Sequence, residues 1–105
     1  MKRGDVRWYK FDQPDKNRPV VILTRDSIIP YLGEVTVAPV TSTMRDIPSE
    51  VRLGKRDGMP KECAVNCDHM QTIAKARVGS LIASLSTARM REIRSAISFA
   101  IALNE

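Results

Sequence analysis

The sequence predicts an α+β fold that is mostly β: a small barrel or curled sheet of short strands, with one helix at the C-terminal end. Three observations lead there. Short segments of strand character recur from Asp5 to Ile82 with turn residues between them, and no helical stretch alternates with them as βαβ units would require. The run Val20-Val21-Ile22-Leu23 is apolar at consecutive positions, which reads as a strand buried on both faces. From Ser86 onward the pattern changes, with Met90, Ile93, Ile97 and Ile101 at intervals of 3, 4 and 4, a single apolar stripe down a helix.

The elements follow in order. Residues 5–11 are rich in aromatics with partial alternation and form a first strand. Asp12 to Asn17 is a polar turn containing Pro14, and the apolar strand then runs from Arg18 to about Thr24. Arg25 to Gly33 reads as a loop or short helical turn, and Glu34 to Val40 as another core strand. Thr41 to Pro48 is irregular, Ser49 to Leu53 a short strand, and Gly54 to Pro60 a loop. Residues 62–67, 70–74 and 77–82 are further strands, the first two flanking Asp68 and His69. Ser86 is placed to cap the helix, Arg89, Arg91 and Arg94 fall mainly off its stripe, and Ala96 and Ala100 allow close packing.

At 105 residues the chain is expected to be one domain spanning positions 1–105. An apolar fraction of 43% and a charged fraction of 28% exclude a disordered or fibrous protein. No apolar run approaches the ~20 residues of a membrane span, and the basic start Met1-Lys2-Arg3 leads into no apolar signal region, so a cytoplasmic protein is expected. A net charge of +5, from 17 Lys and Arg against 12 Asp and Glu, favours a polyanionic partner. Cys63 and Cys67 fall in a strand-like region, where they would share one face ~13 Å apart, too far to bridge. With His69 they match no common zinc spacing, so buried reduced thiols are expected, with no metal and no cofactor.

One residue stands out. Arg18 lies between Asn17 and Pro19 at the mouth of the doubly buried strand, where desolvation makes a charge costly unless something partners it. The segments "GDV", "RPVVILT", "VAPVTS" and "CAVNCDHMQTI", in that order and followed by an amphipathic helix, resemble the MazF/PemK toxin family, the actinobacterial MazF branch most of all. The resemblance covers nearly the whole chain. It implies an SH3-like small barrel of the CcdB/PemK type, a homodimer, and the toxin of a type II toxin–antitoxin system that acts as a sequence-specific, metal-independent endoribonuclease on single-stranded RNA. It further implies a cognate antitoxin with an acidic C-terminal segment. By the same resemblance the catalytic arginine falls on Arg18, the catalytic threonine on Thr41 and an acidic residue on Asp68. Lys16, Asn17, Ser42, Lys55, Arg56, Asn66, His69 and Gln71 are candidate substrate contacts. Two positions depart from the pattern: Asn66 stands where PemK has an arginine, and "DQPDKN" replaces the Gly-rich loop before Arg18.

These residue types suit the implied chemistry. Cleavage by attack of the 2′-hydroxyl on the adjacent phosphate gives a 2′,3′-cyclic end. It needs an acceptor for the 2′ proton, donors for charge building on the phosphoryl oxygens, and an acid for the leaving 5′ oxygen. A guanidinium is a planar fork of donors matched to phosphate but a poor base. Arg18 is therefore assigned chiefly to transition-state stabilisation, with Asp68 a candidate base or orienting group. His69 follows Asp68 directly, so in a strand it would face the opposite way. Two alternatives stay open: a CcdB-like protein that poisons gyrase by binding, and a catalytically inactive relative that binds RNA or antitoxin. Against the first, the chain closes on Leu103-Asn104-Glu105 in place of the Trp-Gly-Ile tail of that group.

Overall fold

The structure is a computed structural model that describes residues 1–12 and 17–103, so the centre of the polar turn and the candidate Lys16 lie outside the described residues. The strands are β1 (Asp5–Lys10), β2 (Asn17–Ile22), β3 (Glu34–Thr41), β4 (Glu50–Leu53), β5 (Cys63–Asn66), β6 (Gln71–Ala74) and β7 (Leu81–Ser84), followed by helix α1 (Thr87–Ala100). Pairing is antiparallel and runs β4-β5-β3-β2-β1-β7, with β6 also on β3. The expected mostly-β architecture with a C-terminal helix is present.

β2 is buried on both faces, as its unbroken apolar run requires. Val21 packs with Val6, Ala38 and the helix residue Ile93 on one side. Val20 and Ile22 pack with Tyr9, Val35 and Val37 on the other. On α1, Ser86 Oγ accepts the Arg89 N–H at 3.2 Å and caps the first turn. Ile93 and Ala96 are buried, and fully burying an isoleucine contributes roughly 1.5–3 kcal/mol. Ile101, the last residue of the expected stripe, lies past the final turn and is exposed.

The longest strand, β3, changes partners along its length. Its first half pairs with β6 (Val37↔Gln71) and its end with β5 (Val40↔Val65), both on the edge opposite β2. Five residues, 66–70, therefore face only two, 38–39, so three are looped out of the ladder. The looped residues form a one-turn 3-10 helix, Cys67–His69. This corrects the strand reading through Cys67: the alternation that put the two cysteines on one face and His69 opposite Asp68 does not apply. Both cysteines are nevertheless buried, unbridged and in one core cluster, as expected. The strand expected at residues 77–82 is likewise displaced, with Lys75–Arg77 in a 3-10 turn before β7.

The sheet curls until its two ends meet through the β4–β5 loop. Gly58 turns that loop with φ of 89° and approaches β7 so closely that a Cβ there would lie 3.0 Å from the Ala83 Cβ. Only glycine adopts this backbone without cost, and no side chain fits the gap. Met59, the next residue, plugs the core.

Candidate active site

The β2·β3 ladder stops at Val20↔Pro39. Pro19 on β2 and Pro39 on β3 have no amide hydrogen to extend it, and β3 turns to β5 instead. Beyond that point the strands part, with Arg18 on β2 paired to Tyr9 of β1 and Thr41 ending β3 against Ala64 of β5. Between them opens a cleft of about 330 Å³. Asn17, Arg18, Thr41 and Ser42 line it, with Trp8 and Lys61, over Met59 and Cys63.

The polar groups of the cleft are poised for an anion. Arg7, Arg45, Arg52, Arg77 and Arg89 all reach a carboxylate. The Arg18 side chain, although half-buried, forms no hydrogen bond or ion pair among the described residues. The Thr41 hydroxyl oxygen accepts the Thr43 N–H at 3.1 Å, which fixes its position and leaves its own proton free to donate. Among the described residues no carboxylate lines the cleft. Burial, assisted by the Asp57 charge, pushes the Cys63 thiol up, so the floor is neutral. The structure thus brings together four of the expected site residues, Asn17, Arg18, Thr41 and Ser42.

The others lie elsewhere. Thr41 pairs with Ala64, and Asn66 is two residues further along β5, about 7 Å away, with Asp68 a further turn beyond. Asp68 accepts the Ser49 hydroxyl at 2.6 Å, its N–H donates to Asn66 Oδ1 at 3.0 Å, and Asn66 Nδ2 lies 3.3 Å from His69 Nδ1. This self-contained network ties the looped-out turn to the start of β4 and leaves Asp68 outside the cleft. Gln71 opens β6 against Val37. Lys55 and Arg56 border a separate depression with Arg52, Glu62 and Arg89. Among the described residues no group of three or more His, Cys, Asp and Glu could hold a metal.

Lys61 and Trp8 were not among the candidate site residues, yet Lys61 lines the cleft and Trp8 is half-buried in its wall. The only local sign was that Lys61 is the last cation before β5. A larger depression, about 640 Å³, lies between residues 23–36 and α1. It contains none of the expected residues, and convergent polar groups rather than size favour the Arg18 cleft.

Residues 2–101 match the family described as PemK-like, MazF-like toxin of type II toxin–antitoxin system. The chain is 39% identical over 92 residues to the endoribonuclease MazF3 of Mycobacterium tuberculosis, covering 88% of this chain and 89% of that protein. It is 38% identical over 100 residues to the probable endoribonuclease MazF5 of the same organism, covering 94% and 91%. Among solved structures, the Mycobacterium tuberculosis toxin MazF-mt6 superposes with a TM-score of 0.86 at 35% identity, over 93% of this chain and 96% of that one. A mycobacterial endoribonuclease in complex with its cognate antitoxin also superposes with a TM-score of 0.86, at 26% identity, over 98% and 96%.

Proposed function

The chain belongs to the PemK-like, MazF-like toxin family of type II toxin–antitoxin systems, and from that membership we propose that it is an endoribonuclease that cuts single-stranded RNA in the Arg18–Thr41 cleft. The observation that carries the assignment is a half-buried guanidinium beside a positioned threonine hydroxyl, in a cleft where no described residue pairs the guanidinium and none supplies a carboxylate. The relatives named endoribonucleases support an enzyme over a gyrase-binding protein.

In this mechanism the 2′ oxygen attacks the adjacent phosphorus and the P–O5′ bond breaks. The products are a 2′,3′-cyclic phosphate and a 5′-hydroxyl. Arg18 donates to the nonbridging oxygens as charge gathers on them, and Thr41 donates its free proton to the same group. A donor aimed at developing charge is worth about 10²–10³ in rate. Among the described residues the cleft offers no imidazole or carboxylate, and in this mechanism water carries the 2′ proton away and returns one to the 5′ oxygen. Asn17 and Ser42 hold the flanking RNA. Asp68, committed to Ser49, supports its turn rather than acting as base. Lys55, Arg56, Asn66, His69 and Gln71 would meet only RNA that extends beyond the cleft, and Lys16 stays a candidate RNA contact.

The toxin acts as one domain, as a homodimer, in the cytoplasm. Among the described residues no helix is long and apolar enough to cross a membrane. An antitoxin neutralises it, with an acidic segment drawn by the +5 charge; the antitoxin-bound neighbour supports this. Incubation with long single-stranded RNA in excess EDTA, beside Arg18→Ala and Thr41→Val, tests the reading. Cleavage by the unaltered protein alone, leaving cyclic-phosphate ends, is expected. Equal cleavage by Arg18→Ala would overturn it.

A further inference from the structure

The wall of the cleft facing away from β2 is supplied by the β4–β5 loop, and its position is set from a distance. The Asp57 carboxylate accepts the Gly54 N–H at 2.9 Å and closes a one-turn 3-10 helix, Lys55–Asp57. Gly58 then reverses the chain, Met59 is buried in the core, and Lys61 emerges at the cleft. The loop is held by Arg89 of α1, 32 residues away in sequence, which donates to both Asp57 oxygens at 2.9 and 3.3 Å. Glu92 braces the same guanidinium at 3.0 Å. The two partners are only 29% and 9% exposed, so this bidentate pair is well placed to hold the loop.

Lys61 itself is exposed and has no ion pair or hydrogen bond among the described residues. It shares with Arg18 a cleft that no carboxylate lines among the described residues. A chain of phosphates satisfies both cations.

We infer that Lys61 is a second phosphate ligand for the RNA, holding a phosphate that flanks the one on Arg18, and that the Asp57–Arg89 pair positions it. This rests on the cleft being the RNA site. Lys61 is a substrate-binding residue, whereas Asp57 and Arg89 act through it.

The test is the Michaelis constant for cleavage of a long single-stranded RNA, measured across a range of KCl concentrations. Each phosphate contact to a single strand contributes about 0.7 to the slope of log affinity against log salt. Lys61→Gln should therefore lower that slope by about 0.7 and raise KM about fourfold at 0.15 M salt, with kcat kept. Lys61→Arg should restore both. Arg89→Gln should raise KM similarly, and Lys61→Gln added to it should raise KM no further, because the two act through one contact. Arg89→Lys, which retains the charge, should recover part of the effect and guards against a folding defect in Arg89→Gln. An unchanged KM and slope in Lys61→Gln would overturn the phosphate contact. Multiplying effects in the double variant would overturn the positioning role. Absence of cleavage by the unaltered protein would instead remove the RNA reading on which the inference stands.

Discussion

Replacing Arg18 by methionine should weaken the enzyme and strengthen the fold. Arg18 is half-buried at the end of a core strand and forms no hydrogen bond or ion pair among the described residues. It therefore carries a desolvation cost that no contact among the described residues offsets. An unsatisfied polar group costs about 1–3 kcal/mol when fully buried, so half-burial suggests about 1 kcal/mol recovered by an apolar side chain of similar length. Unfolding entropy of about 2.1 cal/mol/K per residue gives about 0.22 kcal/mol/K over 105 residues. The gain then appears as a rise in Tm of about 4–5 °C. Cleavage should fall by about 10²–10³, the loss expected for a donor to developing phosphoryl charge. Calorimetry on both proteins, beside RNA cleavage in EDTA, reads the two effects together. A structural arginine would behave the other way. A Tm several degrees lower with cleavage retained would refute the argument that the charge is kept for the substrate.

Three further outcomes follow from the same coordinates. Gly58→Ala should lower stability by at least about 1–2 kcal/mol, because φ of 89° is costly for any residue with a Cβ and the new atom would lie 3.0 Å from the Ala83 Cβ; denaturant unfolding checks this. The Arg89 hydrogen bonds hold the Asp57 carboxyl below its ordinary value of 3.8, aided by the Gly54 N–H and opposed by burial. The unfolded chain thus binds the proton more tightly, so the contribution of this pair is fully present above pH 3.8 and lost as pH falls through the lowered value. Acid titrations of stability should show Arg89→Gln less stable near neutrality and converging on the parent below that point. Burial pushes the Cys67 thiol from 9.0 up to about 11, with the Asp68 and Glu50 charges adding to it. A raised thiol stabilises the fold only while protonated, so stability should decline between pH 9 and 11, by as much as about 2–3 kcal/mol. Cys67→Ala should flatten that limb in urea titrations.

The sequence by itself determined the features that depend on near neighbours. Four consecutive aliphatics following a polar turn read as a strand covered on both sides, and two separate clusters do cover β2. The helical stripe and its Ser86 cap depend on spacings of three and four residues, and both are present. Arg18 was recognisable because a charge next to a core strand conflicts with burial at the level of the sequence, whereas Thr41 was indicated only by the family resemblance. The tertiary structure decided what depends on register and on closure. "CAVNCDHMQTI" reads as two strands, 62–67 and 70–74, either side of Asp68 and His69, and only the pairing of β3 with both β5 and β6 reveals that three residues, Cys67 included, are looped out. That looping, invisible to any alternation pattern, carries Asp68 and His69 out of the cleft. The Asp57–Arg89 pair joins residues 32 apart, and Lys61 reaches the cleft only because the sheet curls and Gly58 packs against β7. Local chemistry specifies which segments are strand or helix and where a charge is out of place. Which charges share a cleft is fixed by how the strands pair and close, and no window of sequence contains that information.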